Sequence, residues 1–232
     1  MIDGRWRRAS WGLLVTAAVA GLAACSGGGG HSAGATASAS ADKALSGAFS
    51  AAKLRGALLT RVNGVPPVTP ASSGAYATLS AANTGTAPVT PKACAAAATA
   101  GFNPAALGGA AAAAVTFKVA SNAVSEMLVT STDKSAATAL AGSAPAKCAK
   151  YTAKVDGKTV TYGITESAVT GIGDQAKVVN VHAGSAADDR WSLIYRGHDF
   201  IGSVTVVGPN ASETAVRELG QQAYAFAAKS LS

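Results

Sequence analysis

The sequence predicts an α+β domain in which an antiparallel β-sheet of about five to seven strands packs against helices, with a further helix at the C-terminus. Three observations indicate this fold class. Short segments of alternating apolar and polar residues follow one another between turn-forming dipeptides. Apolar residues at helical spacing precede these segments, and a second such stripe closes the chain. Strands in succession, with helices between them and at the ends, are typical of α+β domains.

The first 24 residues predict a secretory signal peptide. Three arginines within the first eight residues precede an apolar run, and small residues end that run. The run is too short for a membrane-spanning helix, which needs ~20 apolar residues. Its end, Leu22-Ala23-Ala24-Cys25, resembles the bacterial lipobox, and Ser26 and four glycines follow at once.

The lipobox resemblance implies that Cys25 is the lipidation site. In that family the chain is cut before the cysteine, and the sulfur is diacylated with fatty chains such as palmitate. One acyl chain holds a protein only marginally, whereas two or more hold it stably. We therefore expect a lipoprotein on the extracytoplasmic face of the cell membrane. The alternative is an ordinary signal peptide cut after Ala24, which would leave a free thiol.

Residues 25–43 form the predicted lipidated cysteine and tether, and residues 44–232 form the predicted single domain. The tether consists mostly of Gly, Ser, Ala and Thr, so it cannot bury enough apolar surface to fold. Its lone histidine, His31, has no predicted role.

The chain carries a formal charge of +7, of which the signal peptide holds +2. Because no dense Lys/Arg run is present, the sequence disfavours nucleic-acid binding.

Two further cysteines, Cys94 and Cys148, lie in the predicted domain. Export places them in an oxidising compartment, where two thiols can pair in only one way. Metal ligation and a redox pair are the alternatives, but the spacing and the histidine neighbours that these need are absent. The sequence therefore favours a structural disulfide.

The first predicted helix spans Lys43–Leu59, and Asn63-Gly64 and the prolines after it end it. From Pro70 to Pro91 the composition predicts an irregular surface loop. Alanine content predicts a helix over Ala93–Ala100. Seven strands are then predicted, at Val115–Val119, Ala123–Thr130, Tyr151–Val155, Lys158–Ile164, Ala176–Val181, Trp191–Arg196 and Phe200–Val207.

Turns and helices separate these strands. A short helix that ends at Leu140 is predicted, with Asp133 or Ser135 as its cap. Asp156-Gly157 suits a type I′ hairpin turn, because both central residues of that turn need positive φ. Asn210 and Glu213 have the spacing of a capping box before the last helix. That helix carries an apolar stripe for one face of the sheet, made of Val216, Leu219, Ala223, Phe226 or Ala227, and Leu231.

No catalytic or metal-binding set emerges from the remaining polar residues, and no cofactor is predicted. His182 and His198 lack the motifs that accompany a nucleophilic serine, and two ligands without a third are weak evidence for a metal. Asp188-Asp189 favours turn chemistry over acid–base catalysis. Gly171-Ile172-Gly173 lacks the third glycine of a phosphate loop. Alternating aromatics are usually core, although an apolar pocket is the alternative for Trp191, Tyr195 and Phe200.

The order of several segments resembles actinobacterial exported lipoproteins related to the extracellular sensor domain of PknH-type serine/threonine kinases. These segments are Leu54–Thr60, Cys94 with Cys148, Gly173-Asp174, Tyr195-Arg196-Gly197 with the valine strand after it, and the C-terminal alanine-rich helix. The resemblance implies an antiparallel sheet with helices and a cleft. The sensor domain has four cysteines in two bridges, and this domain has two cysteines.

We therefore expect a non-catalytic, sensor-like binding domain for an envelope lipid, glycan or peptide, with an apolar or amphiphilic ligand held in an apolar cleft. The alternative is a structural or protein-interaction role in a membrane complex, with a partner that the sequence does not identify. A hydrolase built on His182 or His198 and a serine is a third and weaker hypothesis.

Overall fold

The computed structural model describes residues 48–83, 88–98, 102, 104–141, 146–155, 157–183 and 189–232. The predicted signal peptide, Cys25 and the tether with His31 lie outside these residues, as do Asp156 and Asp188. Their predictions remain as stated above.

The described chain forms a nine-stranded, wholly antiparallel sheet with helices on both faces, which confirms the α+β prediction. The strand order is β1-β3-β4-β9-β8-β7-β6-β5-β2. The strands are β1 Ser72–Ala75, β2 Val89–Thr90, β3 Ala111–Val119, β4 Asn122–Thr130, β5 Lys150–Val155, β6 Lys158–Val169, β7 Gln175–His182, β8 Arg190–Gly197 and β9 Phe200–Val207. The α-helices are α1 Ala51–Gly56, α2 Tyr76–Asn83, α3 Ala95–Ala98, α4 Pro104–Leu107, α5 Asp133–Ala141 and α6 Glu213–Leu231, and 3₁₀ turns span Lys92–Cys94 and Ala146–Cys148.

Two short edge strands raise the count above the predicted five to seven. Both β1 and β2 lie in the segment that was predicted to be an irregular loop, and that prediction was wrong. β1 has no apolar alternation of its own and pairs with the alanine run at the start of β3. α2 follows directly, and its Tyr76 is only 3% exposed. Pairing with a neighbouring strand, rather than local propensity, therefore determines the structure here.

The sheet separates two apolar cores because its strands alternate their side chains between the faces. Core 1 lies beneath α1 and α6 and contains Leu193 and Tyr195 of β8. Core 2 lies on the opposite face, beneath α5 and the two buried cysteines, and contains Ile194 of β8. The final helix was predicted to cover one face, and other helices cover the second.

Helix α6 begins two residues later than the capping-box spacing indicated, because the N-cap is not Asn210. Ser212 is the N-cap, and its Oγ accepts a hydrogen bond from the backbone N–H of Ala215 at 3.2 Å. The backbone N–H of Asn210 instead donates to Oδ1 of Asn122 at 3.2 Å, which joins this loop to the β3–β4 turn. The predicted stripe is buried, with Ala227 rather than Phe226 as its fourth member.

Within the described residues, none of the helices has both the length and the apolar character that crossing a membrane requires.

Candidate functional site

Strand β6 is twice as long as its neighbour β5, and this mismatch shapes the surface beside it. Residues Lys158–Gly163 of β6 pair with β5, as the predicted hairpin requires, and the two strands meet at Val155 and Lys158. Gly163 also pairs with β7, and residues 164–169 pair with β7 alone. β6 therefore extends past the end of β5 by about half its length.

An open cleft of about 700 Å³ lies along this extension. The end of α5 supplies Leu140 and Ala141, and the end of β6, the loop after it and the start of β7 supply the rest. The lining residues are Leu140, Ala141, Glu166–Gly171 and Gly173–Lys177. Hydroxyl, amide, carboxylate and ammonium groups line it together with apolar side chains, so the cleft is of mixed polarity.

An ion pair forms the polar centre of the cleft. Lys177 Nζ donates to Oε2 of Glu166 at 2.7 Å, and the two side chains are 10% and 46% exposed. Asp174 adds an exposed carboxylate at the rim. Its backbone N–H donates to the carbonyl of Arg196 at 2.9 Å, and Gly173 before it has φ of +61° and packs against that same carbonyl. The ammonium is thus already paired, and the cleft presents a net negative charge.

A second polar cluster lies at the start of β8, on the face of core 2. The guanidinium of Arg190 donates from Nη1 to the carbonyl of Ala98 at 2.9 Å. Burial lowers the pKa of Arg190, and the nearby Tyr151 and Tyr162 oppose that shift. The two tyrosine rings stack with their centroids 5.0 Å apart. The arrangement fastens the α3 region to the sheet, which is a structural role.

A buried carboxyl, Glu126, lies in core 1. Its Oε2 accepts a hydrogen bond from the backbone N–H of Leu59 at 2.8 Å, and Oε1 has no partner among the described residues. Burial raises the pKa of Glu126 to about 8. Burial, and the neighbouring Glu126, raise the pKa of Tyr195, whose hydroxyl also lacks a partner within the described part of the chain. Sequence reasoning missed Glu126, although it occupies a core-facing position of β4 between Val124 and Leu128.

The two histidines of the domain lie at opposite ends of the sheet, because His182 ends β7 whereas His198 follows β8, an antiparallel neighbour. His182 Nδ1 shares a hydrogen bond with Oδ1 of Asn180 at 3.2 Å, and its ring covers Gly163. His198 is exposed and lies 3.3 Å from the carboxylate of Asp199. Neither histidine bonds a serine among the described residues, and those residues contain no group of three metal-ligating side chains.

The remaining candidate residues are structural. The backbone carbonyl of Asp189 accepts from the N–H of Gly208 at 3.3 Å beside β8. Tyr195 and Phe200 are buried in core 1, where both rings pack against Tyr224 of α6. Trp191 is half-buried against the same core. The core interpretation of these aromatics is therefore correct, and they line no pocket described above.

The disulfide between Cys94 and Cys148 is present, with a Cα–Cα distance of 5.5 Å. Both cysteines are fully buried in core 2. The bond joins the two 3₁₀ turns and holds the start of α3 against the segment that leads into β5.

These features define an α+β domain with an open cleft that has a charged centre, and no catalytic set is assembled from its described residues. The fold is similar to that of the extracellular domain of PknH from Mycobacterium tuberculosis, with a TM-score of 0.52 at 14% sequence identity. The alignment covers 80% of this chain and 97% of that domain. The resemblance stated from the sequence is thus confirmed at the level of the fold.

An ortholog of Rv0999 from Mycobacterium smegmatis also aligns, with a TM-score of 0.39 at 15% identity, over 68% of this chain and 85% of that one. No family model and no curated protein sequence matches the chain.

Proposed function

We propose that this chain is a lipoprotein of the extracytoplasmic membrane face whose domain is a non-catalytic, sensor-like binding module. The observation that carries the proposal is a lipobox-like sequence ending at Cys25, upstream of a domain that shares its fold with the extracellular domain of PknH. The disulfide supports an oxidising location, because such bonds persist outside the reducing cytosol. The charged centre of the cleft favours a peptide or a glycan over a wholly apolar lipid as the ligand.

Membrane anchoring is tested by Cys25→Ala in the full chain, expressed in a host that processes lipoproteins. We expect the unmodified chain to incorporate a labelled palmitate analogue and to partition into the detergent phase. Cys25→Ala should lose both properties, because two or more acyl chains are needed for stable attachment. Ser26→Ala is the matched control and should behave like the unmodified chain. A Cys25→Ala protein that stays labelled and detergent-soluble would overturn the anchor.

Binding is tested on the same full chain with muropeptides, envelope glycans and envelope lipids, by thermal unfolding. A ligand present at 100 times its Kd should stabilise the folded domain by about 2.7 kcal/mol, because it binds the native state alone. Stabilisation by a polar class and not by the lipids is the expected result. No shift with any class would count against a binding module.

A further inference from the structure

The second half of β6 is a strand edge whose outward backbone groups are unpaired within the described residues. β5 pairs with β6 as far as Gly163, and the last bond on that side joins the N–H of Ile164 to the carbonyl of Ala149 at 2.8 Å. Backbone groups of successive strand residues point to alternate sides. The N–H and C=O of Glu166 and Ala168 therefore point away from β7, to the side on which Ile164 meets Ala149. Among the described residues, no strand lies on that side to pair with them.

The side chains along this edge are exposed on both faces of the sheet. Residues Thr165–Ala168 are all exposed, unlike most residues of β7 and β8 beside them. Native proteins protect such edges with charges, prolines, bulges or a covering segment, since an open edge accepts further strands. Here the one edge charge, Glu166, is bound by Lys177, and the cleft lies directly beside the backbone.

We propose that this edge binds an extended peptide, which adds to the sheet as a further strand and places a lysine or arginine side chain at the cleft. The proposal rests on the proposed binding function and names its ligand class. Backbone groups at alternate positions of Thr165–Ala168 supply hydrogen bonds to any extended chain, and the cleft supplies selectivity for its side chains.

The charge of the cleft selects the peptide side chain. The side chain of Glu166 bonds Lys177 but is still 46% exposed, and Asp174 is exposed at the same rim. A basic side chain directly across the ladder from Glu166 lies on the same face of the sheet, and opposite charges in that position stabilise the pairing. A lipid or glycan offers no regular backbone for the open edge.

A second copy of this chain fits the edge less well than a basic peptide. Pairing of two Thr165–Ala168 edges would bring both copies of Glu166 into one short ladder and both copies of Asp174 close to it. Like charges this near to one another destabilise the pairing. Dimerisation that Ala168→Pro abolishes would therefore overturn the peptide as the occupant.

Amide hydrogen exchange of the full chain in detergent tests whether the edge is open. The amides of Glu166 and Ala168 should exchange as fast as those of exposed loops, whereas Ser167, which points to β7, should be protected. Protection of Glu166 and Ala168 without any peptide would mean that the edge is already covered, and would overturn the proposal.

Peptide binding is tested with a library of blocked heptapeptides, Ac-X-Thr-X-Lys-X-Thr-X-NH₂, in which X is any residue except Pro and Cys. We expect members that bind the full chain and protect the amides of Glu166 and Ala168. Ala168→Pro should weaken them at least tenfold, because it removes an outward N–H while leaving the bonds to β7. Ala168→Thr keeps that N–H and is the matched control. A library without a binder, or binders that tolerate Ala168→Pro, would overturn the proposal.

Changes in the peptide test the same geometry with the protein unaltered, so they are independent of any folding defect. N-methylation at alternate peptide positions should abolish binding, and N-methylation at the intervening positions should not. Replacing the peptide lysine by glutamate should weaken binding several-fold, and Asp174→Asn in the protein should reduce that preference. Equal effects of N-methylation at every position would contradict strand addition.

Failure of this proposal is distinguishable from failure of the proposed function. If muropeptides or glycans stabilise the domain but no heptapeptide binds, the binding module stands and the strand-addition site falls. If heptapeptides bind at the edge but Cys25→Ala leaves the membrane attachment unchanged, only the lipid anchor falls.

Discussion

Single residues in core 1 show how closely the sheet and its covering helices are packed. Tyr195 of β8 lies across Gly202, its register partner on β9, and its ring occupies the space that any Cβ at that position would need. The side chain of Leu193 likewise occupies the space that a Cβ at Gly220 of α6 would need. Glycine in a strand or helix normally weakens the element. These two positions instead allow large apolar side chains to be fully buried.

Glu126 should make the stability of the domain depend on pH. Its pKa is raised by burial from 4.5 to about 8, so the native state binds the proton more tightly than the unfolded chain. The stabilising effect of protonation is complete below about pH 4.5 and is lost as the pH rises through about 8. By linkage, the loss is on the order of 5 kcal/mol at pH 9.

Glu126→Gln should remove most of this dependence, because glutamine does not titrate. Its amide oxygen can still accept the hydrogen bond from the N–H of Leu59, so the fold is preserved. Urea unfolding between pH 5 and pH 9 measures the effect, and the variant should be the more stable protein at pH 9. Glu218→Gln, an exposed position of α6, is the control and should leave the pH profile unchanged. Parallel profiles for Glu126→Gln and the unmodified chain would show that Glu126 is ionised in the fold.

At the scale of elements, the disulfide holds together the part of the fold with the weakest secondary structure. Cys94 and Cys148 are 54 residues apart and lie in two 3₁₀ turns, beside helices as short as four residues. Short helices have little stability of their own, because nucleation is costly and few bonds follow it. The covalent link and the burial in core 2 therefore stabilise this region.

Removal of the disulfide should lower the free energy of unfolding by about 4 kcal/mol, by the chain-entropy model for a loop of this length. The double variant Cys94→Ser and Cys148→Ser tests this by urea unfolding, and the reduced form of the unmodified chain should lose a similar amount. A loss below 1 kcal/mol would mean that the unfolded chain is already compact between the two cysteines.

At the scale of the whole molecule, both cores share the strands between them. Leu193 and Ile194 are adjacent in β8, are both fully buried, and belong to core 1 and core 2 respectively. Loss of either core would expose one face of the same central strands. A sheet with one apolar face uncovered is unstable in water, so the two cores are expected to unfold together.

Two spectroscopic probes test this cooperativity. Trp191 lies against core 1 and reports by fluorescence, whereas the stacked pair of Tyr151 and Tyr162 lies at core 2 and reports by near-ultraviolet circular dichroism. Urea transitions followed by the two signals should have the same midpoint. Midpoints that differ by more than the experimental error would show that one helical layer detaches before the sheet unfolds.

The sequence by itself determined the fold class, the central strands, the disulfide partners and the final helix. These features depend on local signals: alternation over β7 to β9, a turn dipeptide between β5 and β6, a unique pair of cysteines, and a stripe of helical period. Such signals need no distant partner to be recognised.

Only the tertiary structure decided the edge strands, the buried carboxyl and the open edge of β6. β1 is a strand because β3 lies beside it, and Glu126 is buried because α1 and its following loop cover that position. The edge at Thr165–Ala168 exists because β5 ends before β6 does, which no residue of β6 indicates. Each of these features is created by a neighbour far away in the chain, so local propensity cannot predict it.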